Sequence, residues 1–255
     1  MTLDLERILI VGASRGIGLE IAHSALARGA STVVVARKTE ALTKADAELA
    51  AEFGRPRVQA IIADAEIPAD RMRIMKACEN GLGFPTSVVL NVGSGVGDNS
   101  DCVGADEWSR VFSANLWASI GMAELLIPAM VERRAGNLLF ISSIAGIEAI
   151  GAPVAYSTAK AALNHYVKVM ARRVGPYGVR INALAPGNVL FEGGTWESKL
   201  KEDEVRWRAH VEHEVPLGRF GSTSEVAASA MYLLSSEASF VTGAIFRVDG
   251  GQCRS

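Results

Sequence analysis

The sequence predicts a doubly wound α/β fold, in which a parallel sheet of about seven strands carries helices on both faces. Short apolar runs rich in β-branched residues alternate along the chain with longer stretches of helical period. The runs at 8–11 and 32–36 are almost continuously apolar, which indicates strands buried on both faces. With 255 residues, 49% hydrophobic and 21% charged, we expect one domain over residues 1–255.

Each element follows from a local pattern, taken in chain order. Short β-rich apolar runs predict strands at residues 7–11, 32–36, 58–63, 87–91, 137–142, 180–184 and 245–248. The stretches of helical period between them predict helices at residues 16–28, 39–53, 69–80, 105–134 and 155–174. Residues 188–215 are polar, of mixed charge and too long for a simple connection, so we expect a lid over a substrate.

Two glycines mark predicted helix ends. Gly29 follows the first helix and Gly136 follows the long helix at 105–134. Both are expected to adopt the left-handed conformation that stops a helix, because this conformation favours a residue without a Cβ atom. Arg133 and Arg134 suit the negative end of the long helix and are interpreted as structural.

Composition narrows the class of ligand. A net charge of −2 offers no broad attraction for nucleic acid or for an anionic membrane. The first seven residues lack the order of a signal peptide, and no apolar run is seen to reach the roughly 18 residues of a membrane span. The three cysteines, Cys78, Cys102 and Cys253, form no zinc or redox pattern. We expect a cytoplasmic protein with a small-molecule ligand.

The first strand runs directly into a glycine-rich turn and a helix. At this place a mononucleotide-binding fold presents backbone N–H groups to a pyrophosphate, which glycines allow to approach closely. The residues expected to contact a cofactor here are Gly12, Ser14, Arg15, Gly16, Ile17 and Gly18. Because the G-x-x-x-G-x-G spacing is weak evidence alone, a tight turn without a ligand stays an alternative.

The end of the second strand bears on the choice between NAD and NADP. Enzymes that use NAD place a carboxylate on the ribose roughly 20 residues past the glycines, where this chain has Ala36, Arg37 and Lys38. Arg15 and Arg37 are fork-shaped donors suited to a 2′-phosphate, so NADP(H) is the predicted cofactor. The alternative is that both arginines are merely solvated.

Tyr156 and Lys160 lie four residues apart near the start of a predicted helix, so their side chains share one face. A free tyrosine titrates near ~10, and acid/base work near neutrality needs a shift of ~3 units, or about 4 kcal/mol. One ammonium at ~4 Å, with an effective dielectric constant of ~20, supplies an interaction of about that size. We therefore expect Lys160 to lower the pKa of Tyr156, although the Y-x-x-x-K spacing alone is a weak signal.

Ser142 and Ser143 end the predicted fifth strand, and parallel sheets place their sites at the carboxyl ends of strands. With Ser143 thirteen residues before Tyr156, the chain resembles the short-chain dehydrogenase/reductase family over essentially its whole length. The motifs that carry the resemblance are Gly12, Gly16 and Gly18, then Asp64, Leu90-Asn91-Val92-Gly93, Asn115, Ser143, Tyr156, Lys160, Pro186-Gly187 and Asp249-Gly250-Gly251.

The resemblance implies a Rossmann-like fold and a role for each matched residue. Ser143 would hold the carbonyl oxygen, Tyr156 would donate or accept its proton, and Lys160 would tune Tyr156 and bind the nicotinamide ribose. Asn115 would help to hold a proton-relay water. Cofactor contacts are implied for Asp64, Ala65, Asn91, Gly93, Tyr156, Lys160, Pro186, Gly187 and Val189. Taken singly, Ser143 is equally a strand-end hydroxyl and Asn115 a helix-bending amide.

Three positions depart from the family pattern. Val11 replaces a threonine before the first glycine, and Leu90 replaces the first asparagine of the N-N-A-G motif. Phe191 stands where a threonine often binds the nicotinamide carboxamide, which leaves a backbone bond from Val189 as the expected anchor. None of the three removes a catalytic group.

Several other residues are weaker candidates. His210, Glu212, His213 and Glu214 suggest a metal site, but a solvated lid helix explains them better, and we predict no metal. Trp196 and Trp207 either stack on a substrate or anchor the lid. His165 is interpreted as a packing or subunit-contact residue.

Together these features predict an NADP(H)-dependent oxidoreductase that transfers a hydride between nicotinamide and a carbonyl or secondary alcohol. The polar lid favours a sugar or other polar ketone, and a 3-oxoacyl-carrier-protein reductase is the alternative within the class. A non-catalytic NADP-binding sensor is the alternative outside the enzyme class, and such a protein should have lost part of the set Asn115, Ser143, Tyr156 and Lys160. The resemblance also implies a homotetramer, or a homodimer, through the helices at 105–134 and 155–174.

Overall fold

The computed structural model describes residues 2–100 and 102–254. Seven parallel strands form one sheet in the order β3-β2-β1-β4-β5-β6-β7, with helices on both faces. The predicted doubly wound α/β fold is therefore confirmed. The strand order reverses between β1 and β4, which is where such sheets open a crevice for a ligand.

The elements mostly lie within one or two residues of their predicted bounds, and the sixth strand is longer. The strands are β1 (Arg7–Val11), β2 (Ser31–Ala36), β3 (Val58–Ile62), β4 (Ser87–Leu90), β5 (Gly136–Ile141), β6 (Val179–Pro186) and β7 (Ile245–Val248). The helices are α1 (Gly16–Ala27), α2 (Thr39–Phe53), α3 (Pro68–Asn80), α4 (Ala105–Phe112), α5 (Ala118–Arg133), α6 (Val154–Val174), α7 (Thr195–Glu202), α8 (Glu204–Glu214) and α9 (Thr223–Leu234).

Hydrophobic cores cover both faces of the sheet. Along β1, Leu9 and Val11 face one core while Ile8 and Ile10 face the other, because successive side chains of a strand point to opposite faces. The first core includes side chains from α3, α5 and α6, and the second includes side chains from α1, α2 and α9. This two-sided burial explains why the strands are almost continuously apolar.

One of the two predicted helix stops is wrong. Gly29 has the expected positive φ of 97° after α1. After α5 the left-handed residue is Arg134, with a φ of 53°, and Gly136 instead begins β5. Gly136 is required for space, because a Cβ atom there would lie 2.5 Å from the Met130 sulfur.

The predicted long helix at 105–134 contains a π-helical turn, Ser113–Trp117, between α4 and α5. By length and composition the combined helix Ala105–Arg133 is apolar enough to cross a membrane, so the expectation that no stretch would qualify was wrong. Half of its most apolar window is buried, and residues such as Met122 and Leu126 pack into the core. A core helix has these same properties.

The polar segment at 188–215 contains α7 and α8, two short helices that meet at Asp203. Beyond it, α9 had not been predicted, although its signal is present in the sequence. Ser222 and Glu225 form a capping box at its start, and its apolar face packs into the second core.

Candidate active site

The carboxyl ends of β1 and β4 are joined by one side chain. Asn91, directly after β4, donates its backbone N–H to the Val11 carbonyl at 2.9 Å. Its side-chain Nδ2 donates to the Gly12 carbonyl at 2.7 Å. Asn91 therefore fixes the glycine-rich turn against the next strand, at the point where the strand order reverses.

The glycine-rich turn has the backbone geometry that an anionic ligand requires. Gly12 and Gly16 have positive φ values of 89° and 57°, and a Cβ atom at Gly18 would overlap the Gly12 carbonyl. The N-terminus of α1 carries neither a side-chain cap nor an acidic residue in its first turn. Its backbone N–H groups and positive dipole end thus fit a phosphate group.

Asp64, which the resemblance implied as a cofactor contact, and Glu66 lie beside Arg37, and the sequence did not predict this proximity. Arg37 Nη1 lies 3.1 Å from Glu66 Oε1 and 3.7 Å from Asp64 Oδ2, both just after β3. Asp64 Oδ1 also accepts from the Glu66 N–H at 3.0 Å, and Ala65 between them is buried. The argument for NADP assumed that no carboxylate lies near the position of a 2′-phosphate. This is correct for the end of β2, but Asp64 and Glu66 lie close to Arg37 in the folded protein.

The segment after β6 contains the next predicted cofactor residues. Pro186 ends the strand, and Gly187 packs so closely on Asp249 that a Cβ atom would lie 2.9 Å from the Asp249 Cα. Val189 is buried and forms an isolated parallel bridge with Gly221. That bridge uses the Asn188 carbonyl and the Leu190 N–H, so the N–H and carbonyl of Val189 itself take no part in it.

The start of the lid lies directly on the glycine-rich turn. A Cβ atom at Gly16 would lie 2.5 Å from the Phe191 ring, and one at Gly193 would overlap the Arg15 guanidinium. Phe191 thus covers the turn with an apolar ring where the family has a hydroxyl. The lid and the proposed phosphate site are in contact through these residues.

The four predicted catalytic residues converge beside this turn. Ser143 follows β5, Tyr156 and Lys160 lie on the first turns of α6, and Asn115 lies in the π-helical turn. The Ser143 hydroxyl hydrogen-bonds Tyr156, and the Lys160 Nζ lies 5.9 Å from the centroid of the Tyr156 ring.

Gly93 lies where Asn115 and Lys160 meet. A Cβ atom at Gly93 would overlap the Asn115 Oδ1 and lie 3.2 Å from the Lys160 Nζ. Asn115 itself accepts from the Ser94 N–H and donates to the Val111 carbonyl, both at 3.0 Å. The latter bond lies inside the π-helical turn, so the Asn115 amide both bonds its own helix and lies beside Gly93 and Ser94.

The expected lowering of the Tyr156 pKa by Lys160 is not observed. Burial raises the pKa of Tyr156 above its ordinary value, and the hydrogen bond from Ser143 partly opposes this effect. The Lys160 Nζ lies 5.9 Å from the centroid of the Tyr156 ring and donates to the Ile141 carbonyl at 3.0 Å, and burial of the phenol is the largest effect on its pKa. The lysine therefore adds no dominant charge interaction to the phenol in this state.

Lys160 is itself strongly perturbed. Its residue is only 3% exposed, and burial lowers the pKa of Lys160 from 10.5 to about 8. A buried lysine that titrates this close to neutrality is typical of a functional site. The shift identifies the neighbourhood of Tyr156 as one in which charge is costly without a ligand.

The weaker candidates have local explanations. Trp196 and Trp207 pack edge to face at 5.8 Å, and Lys199 Nζ lies within 4.5 Å of both ring centroids. These contacts anchor α7 to α8. His210 stacks on Trp196, and His213 Nδ1 lies 3.0 Å from the Glu214 carboxylate. Within the described ranges no group of three potential metal ligands occurs.

Sequence reasoning missed several groups that complete the site. The Ile141 carbonyl and the Ser94 N–H are backbone atoms, which no residue type could reveal. Gly95 lies against Tyr156 and was part of the same glycine-containing loop. Asn164 lies one helical turn beyond Lys160 in α6. This four-residue spacing places it on the same helix face as Tyr156 and Lys160, and it is the sequence signal that could have identified Asn164.

Such a site, on a doubly wound sheet beside a phosphate-compatible turn, defines the class of nucleotide-dependent oxidoreductases. A family model described as enoyl-(acyl carrier protein) reductase matches residues 12–252. The 2-(S)-hydroxypropyl-CoM dehydrogenase 3 of Xanthobacter autotrophicus is 32% identical, over 98% of this chain and 97% of its own. The galactitol 2-dehydrogenase (L-tagatose-forming) of Cereibacter sphaeroides is 34% identical, over 98% of this chain and 95% of its own.

The fold has close counterparts among solved structures. The L-sorbose reductase of Gluconobacter frateurii, complexed with NADPH and L-sorbose, is similar with a TM-score of 0.91 and 27% identity. The similarity covers 100% of this chain and 99% of that one. The chain belongs to the short-chain dehydrogenase/reductase family, whose members are oxidoreductases that use a nicotinamide cofactor.

Proposed function

We propose that this protein is an NADP(H)-dependent oxidoreductase that interconverts a ketone and a secondary alcohol, with Tyr156 as general acid/base. The observation that carries the proposal is the convergence of Asn115, Ser143, Tyr156 and Lys160 beside the glycine-rich turn. A non-catalytic NADP-binding sensor would not need all four groups in one place.

In the proposed reaction, Ser143 binds the carbonyl oxygen and Tyr156 transfers the proton. A nicotinamide cofactor held at the glycine-rich turn by Gly12, Gly16 and Gly18 would supply the hydride for the reduction and accept it in the oxidation. Ser143 donates a hydrogen bond to the carbonyl oxygen, and Tyr156 transfers its phenolic proton to that oxygen as the charge develops. In the oxidation the same phenol oxygen takes the proton back. Lys160 lies beside this phenol and Asn115 lies near Lys160 at Gly93, and we assign both to the relay that returns a proton from solvent to the phenol.

The preference for NADP(H) is supported by the two cationic side chains near the glycine-rich turn. Arg15 is exposed at the turn and Arg37 is exposed at the end of β2, and neither position carries the carboxylate that selects the ribose of NAD. The pairing of Arg37 with Glu66 and Asp64 makes Arg15 the stronger contributor. The NADPH complex of the similar L-sorbose reductase supports the same assignment.

A polar ketone or sugar is the proposed substrate class. The lid is polar at Glu192, and relatives act on galactitol and bind L-sorbose. The second candidate is a 3-oxoacyl thioester on a carrier protein, favoured by the description of the family model. We further propose that the enzyme acts in the cytoplasm as a homotetramer or homodimer.

A substrate panel followed at the nicotinamide absorbance tests this proposal. We expect turnover of keto sugars or polyols with NADP(H), and a much lower kcat/KM for acetoacetyl thioester. Preferential turnover of the thioester would select the carrier-protein alternative. Cofactor binding without turnover of any carbonyl or alcohol in the panel would favour the sensor.

A further inference from the structure

We infer that Asn164 is a positioning residue for the reaction, because its side-chain amide fixes the turn that carries Ser143 onto the helix that carries Tyr156 and Lys160. The inference rests on the proposed function, since it assigns a task to Asn164 only if Ser143 and Tyr156 do the chemistry. It concerns a buried residue outside the four predicted catalytic positions.

Ser143 is held by a short turn rather than by a strand. The 3-10 turn Ile144–Gly146 follows it, and the Ala145 N–H donates to the Ser143 Oγ at 3.1 Å. The Gly146 N–H donates to the Ser143 carbonyl at 3.0 Å. The position of the Ser143 hydroxyl therefore depends on where this turn lies.

Asn164 binds the far end of the same turn. Its Nδ2 donates to the Gly146 carbonyl at 3.0 Å, and the residue is only 6% exposed. Because the partner is a carbonyl, the donating atom must be the amide nitrogen. The Oδ1 atom is buried and has no hydrogen-bond partner among the described residues. The amide thus makes one side-chain hydrogen bond, and that bond is to the turn of Ser143.

The turn also packs directly on the α6 backbone. A Cβ atom at Gly146 would lie 2.5 Å from the Lys160 carbonyl carbon and 2.8 Å from the Ala161 nitrogen. Gly146 is therefore fixed on α6 in two ways, by the close packing of its Cα on the backbone at Lys160 and by the hydrogen bond from Asn164 to its carbonyl. A change at Asn164 would alter the relative position of Ser143 and Tyr156, which hydrogen-bond each other.

The protein offers a matched control. Asn137 is also 6% exposed, and its Nδ2 also donates to one backbone carbonyl, that of Leu233, at 3.0 Å. Asn137 lies at the start of β5, at the end of the strand away from Ser143. Asn164→Ala and Asn137→Ala each remove one buried hydrogen bond to a backbone carbonyl. Only the bond of Asn164 is to the turn that follows Ser143.

The test compares the two variants by kcat, KM, melting temperature and the pH profile of alcohol oxidation. We expect Asn164→Ala to lower kcat by about tenfold to a hundredfold, as small misplacements of catalytic groups do. Its ascending limb of kcat/KM should move to higher pH, since a weaker bond from Ser143 raises the pKa of Tyr156. Asn137→Ala should lose stability but keep its kcat and its pH profile.

A double variant separates this inference from the proposed function. If Asn164 acts through Ser143, adding Asn164→Ala to Ser143→Ala should lower kcat little further. Full activity of Ser143→Ala would overturn the role given to Ser143 and with it the positioning role of Asn164, while absence of turnover in the wild-type protein would overturn the proposed function itself. If Ser143→Ala is inactive but Asn164→Ala keeps the wild-type kcat and pH profile, only the positioning role is overturned.

The positioning role would also be overturned if Asn164→Ala and Asn137→Ala lost kcat equally and in proportion to their loss of folded protein. Asn164→Ser, whose shorter side chain does not reach the Gly146 carbonyl, gives the same comparison if Asn164→Ala does not fold.

Discussion

At the scale of single residues, burial rather than charge pairing dominates the unliganded site. Burial lowers the pKa of Lys160 and raises the pKa of Tyr156, so both effects favour the neutral forms. Charged groups and hydrogen bonds of a bound ligand would therefore shift the pKa values of Tyr156 and Lys160 from those set by burial.

The pKa of Lys160 makes folding stability depend on pH. Between pH 8 and 10.5 the unfolded chain keeps the Lys160 proton while the folded chain has lost it. The unfolded state then binds more protons, so the free energy of unfolding rises with pH across this window. We expect a gain of up to about 3 kcal/mol for the wild type relative to Lys160→Met.

Urea unfolding of both proteins at several pH values measures this difference. Tyrosines and other lysines titrate in both proteins, so their contributions cancel. A difference that stays constant from pH 7 to 10.5 would show that Lys160 is not perturbed in the fold.

At the scale of elements, the N-terminus of α9 is stabilised by a capping box whose two residues, Ser222 and Glu225, have the spacing expected from sequence. The Ser222 Oγ accepts from the Glu225 N–H at 3.3 Å, and the Glu225 carboxylate accepts from the Ser222 N–H at 2.8 Å. Contacts to Arg219 and Ser222 hold the pKa of Glu225 at about 2.

Loss of the cap should be measurable. Ser222→Ala is expected to lower the free energy of unfolding by about 1 kcal/mol, because it leaves helix N–H groups without a partner. Ala substitution of Ser239, which lies outside the helices and strands, is the control and should change the stability little. A Ser222→Ala protein as stable as the wild type in urea unfolding would indicate that the apolar face of α9 alone determines the helix.

The strands could be predicted well because burial on both faces leaves nearly continuous apolar runs, as at Leu9 and Val33. The end of α5 could not, because the residue that adopts the left-handed conformation there is Arg134, with a φ of 53°, and not a glycine. The four side chains that lie together at the candidate site, Asn115, Ser143, Tyr156 and Lys160, could be selected from their motifs. Their partners could not, because the Ile141 carbonyl and the carboxylates near Arg37 reach the site only through the sheet.

At the scale of the whole molecule, the start of the predicted lid at 188–215 packs against the glycine-rich turn that follows β1. Phe191 and Gly193 approach the glycine-rich turn at Gly16 and Arg15, so a cofactor bound at the turn would lie next to the start of this segment. A ligand that binds only the folded state stabilises it, by about 2.7 kcal/mol at a hundred times its Kd.

Thermal unfolding can therefore report the cofactor preference. We expect NADPH to raise Tm more than NADH at equal concentration, and Arg15→Ala to remove most of the difference. Lys44→Ala, on the exposed side of α2, is the control and should keep it. Equal shifts by the two cofactors in the wild-type protein would contradict the assignment of Arg15 and Arg37 to a 2′-phosphate.

The central claim is that the Tyr156 phenol transfers the proton while the cofactor exchanges a hydride. The most direct measurement is turnover and cofactor affinity of Tyr156→Phe, which removes one oxygen atom from a partly buried side chain. The proposed chemistry predicts a loss of kcat of at least about a hundredfold, with an almost unchanged Kd for NADPH. A kcat within a few-fold of the wild type would contradict it and place the proton transfer on another group.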